Sequence, residues 1–276
     1  MGKLRLMWRQ RSLLIELTLR DFRGKYAGSF MGIFWSVINP LLLLAVFTFV
    51  FTVIFEIRLG QMPGMKYNAL YIFCGVLPWI AFQEAVQRSC TVFIEQKNLV
   101  TRVRFPAGAL PASIVGSGVL GMLIGMIILL AVTWIITGRL PAQALLLPAL
   151  IVLQMGFTLG LAWFAASVNV FFRDLQHLLP VGLLVWMYGT PIFYSPEMVK
   201  NVKSVTILGH TLTSDHLSAI LTLNPIYHLV AGYRAVLLEG RIPGVEMAWL
   251  MFFAGLSLLI GATAMWRGRP KFADVL

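Results

Sequence analysis

The feature that most constrains this chain is an uncharged stretch of membrane length, residues 30–55, in which no Asp, Glu, Lys or Arg occurs. An α-helix needs about 20 apolar residues to cross the hydrocarbon layer of a bilayer. Further uncharged stretches follow, and the 276 residues are 59% hydrophobic but only 12% charged. Soluble domains carry about 25% charged residues. The sequence therefore predicts an all-α integral membrane protein.

Six stretches are uncharged over most of a membrane width, and they predict six transmembrane helices. They lie at about residues 30–55, 69–83, within 107–138, within 140–172, 178–195 and 247–266. Six crossings place both termini on one side, which then holds fifteen of the Lys and Arg residues against seven on the other. The positive-inside rule predicts that both termini are cytoplasmic. This placement also accounts for the net charge of +11, so we expect no nucleic-acid binding.

One further uncharged stretch, residues 216–233, is divided by the pair Asn224-Pro225. Proline removes a backbone donor and disfavours helix in the residue before it, so we expect two short helices instead of a crossing. They are predicted to re-enter the membrane from the outer side before the last span, enclosed by protein or water. The whole chain, 1–276, then forms one transmembrane domain. Its parts are an interface segment (1–29), five spans (30–195), an outer loop (196–246), the sixth span (247–266) and a tail (267–276).

The N-terminal segment carries the pattern of an amphipathic helix. Four apolar residues recur at spacings of 4, 3 and 4, namely Ile15, Leu19, Phe22 and Tyr26. This pattern predicts a helix that lies in the membrane interface. Asp21 and Lys25, four residues apart, are predicted to form an ion pair along this helix. Glu84 and Arg88 have the same spacing at the end of the second span and predict another interfacial ion pair.

Small residues recur at a spacing of four in three places. The sets are Gly24-Gly28-Gly32, Ser117-Gly121-Gly125 and Gly156-Gly160. In lipid, small residues at this spacing let helices approach each other closely. They predict a tightly packed bundle, and the first set also marks a bend between the interface helix and the first span.

The loop predicted at residues 84–106 has a helical apolar pattern of its own. One face is shared by Val92, Phe93, Gln96, Leu99 and Val103, and Pro106 ends the segment. The pattern predicts an amphipathic cytoplasmic helix between two spans. Such a helix either docks onto a partner protein or rests on lipid headgroups.

The chain lacks the signatures of nucleotide hydrolysis and ion coupling. It contains no GxxxxGK[ST] phosphate-binding loop, and it places no carboxylate or histidine at mid-membrane depth. We find no zinc-ligand spacing and no nucleophile elbow. We therefore expect no metal, no cofactor and no catalysis in this chain, and a transporter of this kind needs an energy source outside itself.

Three stretches together resemble the permease subunit of bacterial ABC exporters for polysaccharides. They are "LRDFRGKYAGSFMGIFWSVINPLL" (19–42), "NVFFRDLQHLLPVGLLVWMYGTPIFYSPEM" (169–198) and "LNPIYHLVAGYRAVLLEGRIP" (223–243). The resemblance implies a homodimer in the inner membrane that pairs with two copies of a separate ATPase, on which ATP and Mg²⁺ bind. Its implied substrate is a polysaccharide on undecaprenyl diphosphate, with O-antigen expected first and teichoic acid or capsule as alternatives.

The resemblance and the charge pattern also imply candidate site residues. Candidates for the lipid headgroup, since Arg and Lys bind phosphate strongly, are Arg20, Arg23, Lys25 and Tyr26. Candidates for the outer gate are Asn224, Pro225, Tyr227, His228 and Arg234. Candidates for coupling to the ATPase are Glu95, Lys97, Asn98, Leu99, Arg102 and Arg104.

Aromatic residues in or near the apolar stretches have two readings. Flat rings can stack on sugars and line a channel, for which the candidates are Trp35, Trp186, Tyr188 and Tyr194. Trp and Tyr are equally expected at membrane interfaces.

Two rival functions also stay open. One is an ABC permease for small hydrophobic compounds, and the other is a scaffold or enzyme of glycan assembly that needs no ATPase.

Overall fold

A computed structural model describes residues 11–54, 65–102, 105–200, 204–207 and 210–275 of the chain. The first ten residues of the predicted interface segment lie outside the described part. So do the coupling candidate Arg104 and the side chain of Arg102.

The described chain is helical apart from one small hairpin. In chain order the helices are α1 (Arg11–Gly24), α2 (Trp35–Thr48), α3 (Met65–Glu95), α4 (Lys97–Arg102), α5 (Ala109–Thr137), α6 (Leu147–Phe171), α7 (Leu175–Tyr188), α8 (Pro196–Lys200), α9 (Ser214–Thr222), α10 (Pro225–Arg234) and α11 (Gly244–Val275). Short 3₁₀ helices precede α2 and α6, at Gly32–Phe34 and Ala142–Leu146, and π-helical segments extend α2 and α10, at Phe49–Ile54 and Ala235–Glu239.

The hairpin is the one departure from the predicted all-α fold. Strands β1 (Ser204–Ile207) and β2 (His210–Thr213) pair antiparallel, with Ser204 opposite Thr213 and Ile207 opposite His210. Each strand has only four residues. This is too short for an alternation of apolar and polar residues to distinguish a strand from a loop.

Among the described residues, four helices are long and apolar enough to cross a membrane by length and composition. They are the segments Tyr67–Glu95, Ala109–Thr137, Ala142–Phe171 and Gly244–Phe272. In the most apolar 18-residue window of the first helix, 83% of the residues are buried, whereas the share is 28–33% in the other three. The helix α3 therefore forms the centre of the bundle, and α5, α6 and α10 pack around it.

The helices α6 and α11 make the closest helix–helix contact. A Cβ on Gly160 would collide with the backbone of Ser257 and Leu258, and a Cβ on Gly261 would collide with the backbone of Gly160. The predicted close packing at Gly156-Gly160 is confirmed, since Gly156 also lies against Ala254 of α11. Side-chain-free positions let two backbones approach where lipid offers no hydrophobic driving force.

The first glycine set, Gly24-Gly28-Gly32, has one of the two roles predicted for it. Gly28 and Gly32 have positive φ values of 79° and 51°, so they form the bend after α1. No other part of the described chain lies within 4 Å of a Cβ built on Gly24, Gly28 or Gly32. The prediction of a bend is therefore confirmed, and the prediction of close packing there is wrong for the single chain.

The N-terminal, middle and C-terminal parts of the chain meet at one end of the bundle. Phe93 of α3 contacts Phe272 of α11 with 5.2 Å between ring centroids, and Arg269 donates to the Phe105 carbonyl at 2.9 Å. The helix α1 packs against α5 at the same end, where a Cβ on Gly116 would lie 2.9 Å from Thr18. We call this the basic end, because the Lys and Arg-rich segments gather there.

Residues 84–106 were predicted to form a loop with a helix of its own between two spans. For the first half of this segment the prediction is wrong, because these residues continue α3. The helix α3 continues to Glu95, passing Pro78, and α4 is a separate helix of six residues. Glu84 and Arg88 do not end the helix, because both side chains find partners on α1. Val92 and Phe93 are buried among apolar side chains of α5, α6 and α11 instead of facing lipid headgroups.

The predicted fifth span, 178–195, differs from the helix that is found. The helix α7 begins at Leu175 and ends at Tyr188, and residues 189–194 form turns. An uncharged composition cannot distinguish a helix from a buried apolar turn, and Pro191 disfavours helix in the residue before it. The first predicted span, in turn, is an α-helix only from Trp35 to Thr48, with the π-helical segment carrying it to Ile54.

Candidate functional site

The candidate site lies at the basic end, between α1 and the C-terminal half of α3. Arg88 of α3 makes a two-pronged contact with Asp21 of α1, with 2.6 Å between Nη2 and Oδ1 and 3.0 Å between Nη1 and Oδ2. This parallel geometry is the strongest form of an arginine–carboxylate contact. It fixes the first helix against the central helix of the bundle.

A second ion pair lies beside the first. Lys25 Nζ is 2.8 Å from Glu84 Oε1, and Arg88 Nη1 is 3.5 Å from the same oxygen. The four residues Asp21, Lys25, Glu84 and Arg88 form what we call the ionic cluster. The predicted Glu84–Arg88 pair is confirmed, but the predicted Asp21–Lys25 pair is wrong, since each of these residues pairs instead across to α3.

A cavity of about 810 Å³ opens beside the ionic cluster. Its size falls in the range of small-molecule sites, roughly 300–1,000 Å³. Polar groups on its wall include Arg20, Tyr26, Asn39, Thr91, Glu95, Gln96 and Ser113. Apolar groups on its wall include Leu17, Val92, Leu99, Leu110 and Ile114. The cavity thus combines charged, hydrogen-bonding and apolar surface in one place.

The headgroup candidates are divided by the structure. Arg20, Lys25 and Tyr26 line the cavity, whereas Arg23 is exposed on α1 and is not part of the lining. Burial raises the pKa of Tyr26, and the negative charge of Glu84 raises it further. Tyr26 therefore stays a neutral hydroxyl that can donate a hydrogen bond into the cavity.

The predicted apolar stripe of α1 is only partly correct. Phe22 is buried and its ring lies edge-on to Tyr26, with 5.6 Å between the centroids. Ile15 and Leu19 face outward, at 57% and 40% exposed. Leu17, which the periodicity did not select, is buried in their place.

At the opposite end, Asn224 joins three elements. Its Oδ1 accepts from the backbone N–H of Ile226 at 3.0 Å, which caps α10, and from Trp186 Nε1 of α7 at 2.9 Å. Its Nδ2 donates to Thr190 Oγ1 at 2.8 Å. Pro225 follows as the first residue of α10, where its missing N–H costs no hydrogen bond.

Tyr227 and His228 face the beginning of the last helix. The ring of His228 stacks on Trp249 of α11 at 5.4 Å with 12° between the planes. Its Nε2 lies 2.7 Å from the Thr222 carbonyl and therefore donates to it. Tyr227 is half-buried and lies edge-on to His228 at 5.3 Å.

Arg234 is buried at the end of α10 and donates only to backbone. Its Nε reaches the Tyr71 carbonyl at 3.2 Å, its Nη1 the Pro191 carbonyl at 2.7 Å and its Nη2 the Ile192 carbonyl at 2.8 Å. The guanidinium also lies over the Tyr71 ring. One residue thus joins α10 to the start of α3 and to the turn after α7. Sequence reasoning missed the accepting carbonyls, because no side-chain pattern marks them.

The channel candidates lie in different surroundings. Trp186 packs among the rings of Trp79, Phe82 and Phe157, with 5.6–6.4 Å between centroids. Tyr188 is exposed, and the Tyr194 hydroxyl donates to its carbonyl at 3.3 Å. Trp35 is half-buried at the start of α2. Within one chain, Trp186 belongs to the packed interior.

The coupling candidates surround the break between α3 and α4. Glu95 accepts a hydrogen bond from Thr91 at 2.6 Å. Lys97 and Asn98 are exposed at the start of α4, and Leu99 is half-buried beneath them. The six-residue helix α4 follows the end of α3 and presents a small surface on which a partner protein can bind.

Long apolar helices with charged contacts confined to their ends define a polytopic membrane domain. The sequence profile described as ABC-2 type transporter matches residues 12–238. The chain is 30% identical over 270 residues to a protein named O-antigen export system permease protein RfbA from Myxococcus xanthus, covering 97% of this chain and 96% of that one. It is 26% identical over 267 residues to a protein of the same name from Klebsiella pneumoniae, covering 96% and 95%.

The chain belongs to the ABC-2 type transporter family. It is therefore a membrane subunit of a transporter and not an enzyme, and the resemblance inferred from the three quoted stretches is confirmed at this level.

Proposed function

We propose that this chain is the permease of an ATP-driven exporter that carries a polysaccharide, O-antigen first, on undecaprenyl diphosphate across the inner membrane. The observation that carries the proposal is the cavity at the basic end. It places cationic and hydroxyl groups beside an apolar wall, which suits the headgroup of a charged lipid. Similarity to two proteins named O-antigen export permeases supports this polymer over teichoic acid or capsule.

Six crossings with cytoplasmic termini are part of the proposal. Besides the four long helices, α2 leads from Asn39 at the cavity to Phe47, whose ring is 5.2 Å from that of Phe193. The helix α7 leads from the basic end to Thr190, which accepts from Asn224. Both segments therefore run between the two ends of the bundle. The positive charge at the basic end supports a cytoplasmic location for it.

The helices α9 and α10 act as re-entrant helices on the outer side. The helix α9 has nine residues, and α10 has ten, or fifteen with its π-helical extension. Both have fewer than the about 20 residues that a crossing of the bilayer needs. Tyr233 of α10 donates to Gln154 of α6 at 2.8 Å, and Gln154 donates to the Pro78 carbonyl of α3 at 2.9 Å. These buried contacts support a position inside the bundle, where such backbone is tolerated.

The chain works with two copies of an ABC ATPase and a second copy of itself. The ATP and Mg²⁺ sites lie on the ATPase. The segment that holds Glu95, Lys97, Asn98, Leu99, Arg102 and Arg104 is the docking site for it, and Glu95, Lys97 and Asn98 are exposed there. Exposed apolar faces on α2 and α7, which include Val37, Leu41, Val181 and Val185, support burial against lipid or against the second copy.

The helix α3 transmits the movement. Its 31 residues, Met65–Glu95, give it a length of about 46 Å, and it leads from the docking segment to the opposite end, where Tyr71 lies in its first turns. When ATP closes the ATPase dimer, α4 moves the lower end of α3. Arg234, which holds the upper end of α3 through the Tyr71 carbonyl, carries that movement to α10 and the outer gate. The polymer passes an aromatic-lined channel that includes Trp35, Tyr188 and Tyr194.

Deleting the chain in its host tests the proposal. We expect loss of the surface polymer and accumulation of lipid-linked polymer in the cytoplasm. The wild-type chain should reverse both effects. A variant in which Arg20, Arg23 and Lys25 are all replaced by Gln should reverse neither. Unchanged surface polymer in the deletion strain would favour the rival permease for small hydrophobic compounds. If no ATP-hydrolysing subunit co-purifies and the polymer is not made at all, the scaffold or enzyme hypothesis replaces this one.

A further inference from the structure

The four residues of the ionic cluster pair with one another across the junction of α1 and α3. Each cation pairs with a carboxylate on the other side of the α1–α3 junction, Lys25 with Glu84 and Arg88 with Asp21. Two positive and two negative charges cancel, so this wall of the cavity offers no unpaired cation. An anionic ligand that takes Lys25 and Arg88 as its partners therefore competes with their carboxylates.

We propose that Asp21 and Glu84 stand in for the phosphates of a lipid diphosphate, and that substrate binding exchanges them for phosphate oxygens at Arg88 and Lys25. The inference rests on the proposed function, because it takes the lipid-linked substrate as the ligand. It adds Arg88 to the headgroup site. It also implies that the two ion pairs hold α1 against α3 before substrate binds.

The geometry of Arg88 suits this exchange. Its guanidinium presents two N–H groups side by side to Asp21, at 2.6 and 3.0 Å. A guanidinium binds carboxylate and phosphate with the same parallel pair of hydrogen bonds. A phosphate can therefore take the place of Asp21 while the arginine side chain keeps its conformation.

Solvent reaches the cluster, which makes the exchange feasible. The side chains of Arg88 and Glu84 are 35% and 40% exposed. Ion pairs that water reaches cost less to break than fully buried ones, because water can replace a partner that leaves. A diphosphate that links a lipid to a sugar carries two negative charges, as the two displaced carboxylates do together, but it offers more acceptor oxygens for the hydrogen bonds of the two cations.

The rest of the cavity matches the other parts of a lipid-linked sugar. Asn39 offers an amide group to sugar or phosphate oxygens. The hydroxyls of Thr91 and Ser113 donate to Glu95 and to the Leu110 carbonyl, and their oxygens can accept from sugar hydroxyls. Leu110 and Ile114 supply an apolar wall for the adjoining lipid. Arg20 also lines the cavity, and within the described residues no carboxylate forms a salt bridge with it, so it can attract the anion before the exchange.

The exchange couples loading to movement. Once phosphate occupies Arg88 and Lys25, the displaced carboxylates of Asp21 and Glu84 lie beside an anion and are repelled by it. The ion pairs between α1 and α3 are lost, and α1 is freed from the helix that leads to the docking segment. Substrate loading thus changes the contacts of the element that the ATPase moves.

Binding of undecaprenyl diphosphate to the purified full-length chain in nanodiscs tests the exchange. We expect Arg88→Gln to weaken binding about 10- to 100-fold, the loss of a charge-assisted contact. We expect Glu84→Gln and Asp21→Asn to strengthen binding several-fold, because the competing carboxylate is gone. Arg173→Gln is the matched control, since it removes a basic residue near the same end but outside the cavity lining, and it should leave affinity unchanged.

A gain in affinity cannot result from misfolding, so the carboxylate variants keep the test decisive. If Glu84→Gln and Asp21→Asn bind no more tightly than a wild type that does bind undecaprenyl diphosphate, the exchange is wrong while the proposed function stands. Inorganic diphosphate and phosphatidylglycerol vesicles are the comparison ligands. Equal binding of either one would show a general phosphate or lipid site and overturn the assignment. The failure of export described above tests the proposed function separately.

Discussion

The guanidinium of Arg234 lies 3.5 Å from the centroid of the Tyr71 ring and donates to the carbonyl oxygen of the same residue. This places a buried arginine of α10 on the first turns of the central helix. A buried cation without a carboxylate partner is costly unless hydrogen bonds and ring contacts replace its water. Here three backbone carbonyls and one ring do so, and they come from two different elements.

Replacing Arg234 by Met should therefore destabilise the outer end. The variant removes the guanidinium donors of the Pro191 and Ile192 carbonyls and the second donor of the Tyr71 carbonyl, which keeps its helical N–H donor, and we expect a loss of about 2–4 kcal/mol. Arg234→Lys keeps the charge but lacks the planar fork that reaches all three, so it should be intermediate. Thermal unfolding of the purified chain in detergent measures both.

The control for Arg234 is Arg241→Met. Arg241 is exposed and contacts Glu239 and Glu246 at 2.6 and 2.7 Å. Its loss should cost about 0–1 kcal/mol, as for other surface ion pairs. Equal melting temperatures for Arg234→Met and the wild type would contradict a stabilising role for the buried guanidinium.

Asn224→Ala should also weaken the outer end, since the residue caps α10 and bonds to both Trp186 and Thr190. Loss of the cap costs about 1 kcal/mol, and each further hydrogen bond about 1 kcal/mol. A double-mutant cycle with Trp186→Phe should give a coupling energy of about 1 kcal/mol. Asn98→Ala, on the exposed start of α4, should be neutral. A coupling energy near zero would mean that the Trp186 contact contributes nothing.

Much of the fold follows from local pattern in the sequence. The uncharged stretches predicted the four long helices, because in a bilayer a long apolar segment has no stable alternative to helix. The pair Asn224-Pro225 predicted where two short helices divide, and α9 ends at Thr222 while α10 begins at Pro225. The glycine and proline chemistry that sets such boundaries acts within a few residues, so one sequence reveals it.

The candidate site could be predicted only in part. Periodicity sees neighbours on one helix, and it paired Asp21 with Lys25. The actual partner of Asp21 is Arg88, 67 residues away, which no local rule selects. The same limit applies to Arg234, whose acceptors are backbone atoms of Tyr71, Pro191 and Ile192 and therefore leave no mark in the residue types.

Two glycines of α11 provide a matched test of helix packing. Gly261→Ala should destabilise the chain by about 1–3 kcal/mol, as overpacking does, because its Cβ would collide with the backbone of Gly160. Gly255→Ala lies on the same helix with no contact within 4 Å, and it should be neutral or slightly stabilising. Urea or thermal unfolding of the two variants compares them directly. Equal stability of the two variants would mean that the backbones of α6 and α11 lie farther apart than in this structure.

The docking segment at the end of α3 gives the last prediction. Because Lys97 and Asn98 are exposed on α4, replacing both by Glu should leave the stability of the permease unchanged. It should lower ATPase co-purification and polymer export together, about tenfold if one charge-assisted contact of about 1.4 kcal/mol is lost. Arg173→Glu, in the exposed turn between α6 and α7, is the control for a charge reversal elsewhere at the basic end and should retain the ATPase. Normal co-purification with the double variant would place the docking surface elsewhere. Normal co-purification with lost export would instead mean that α4 transmits movement without contributing to affinity.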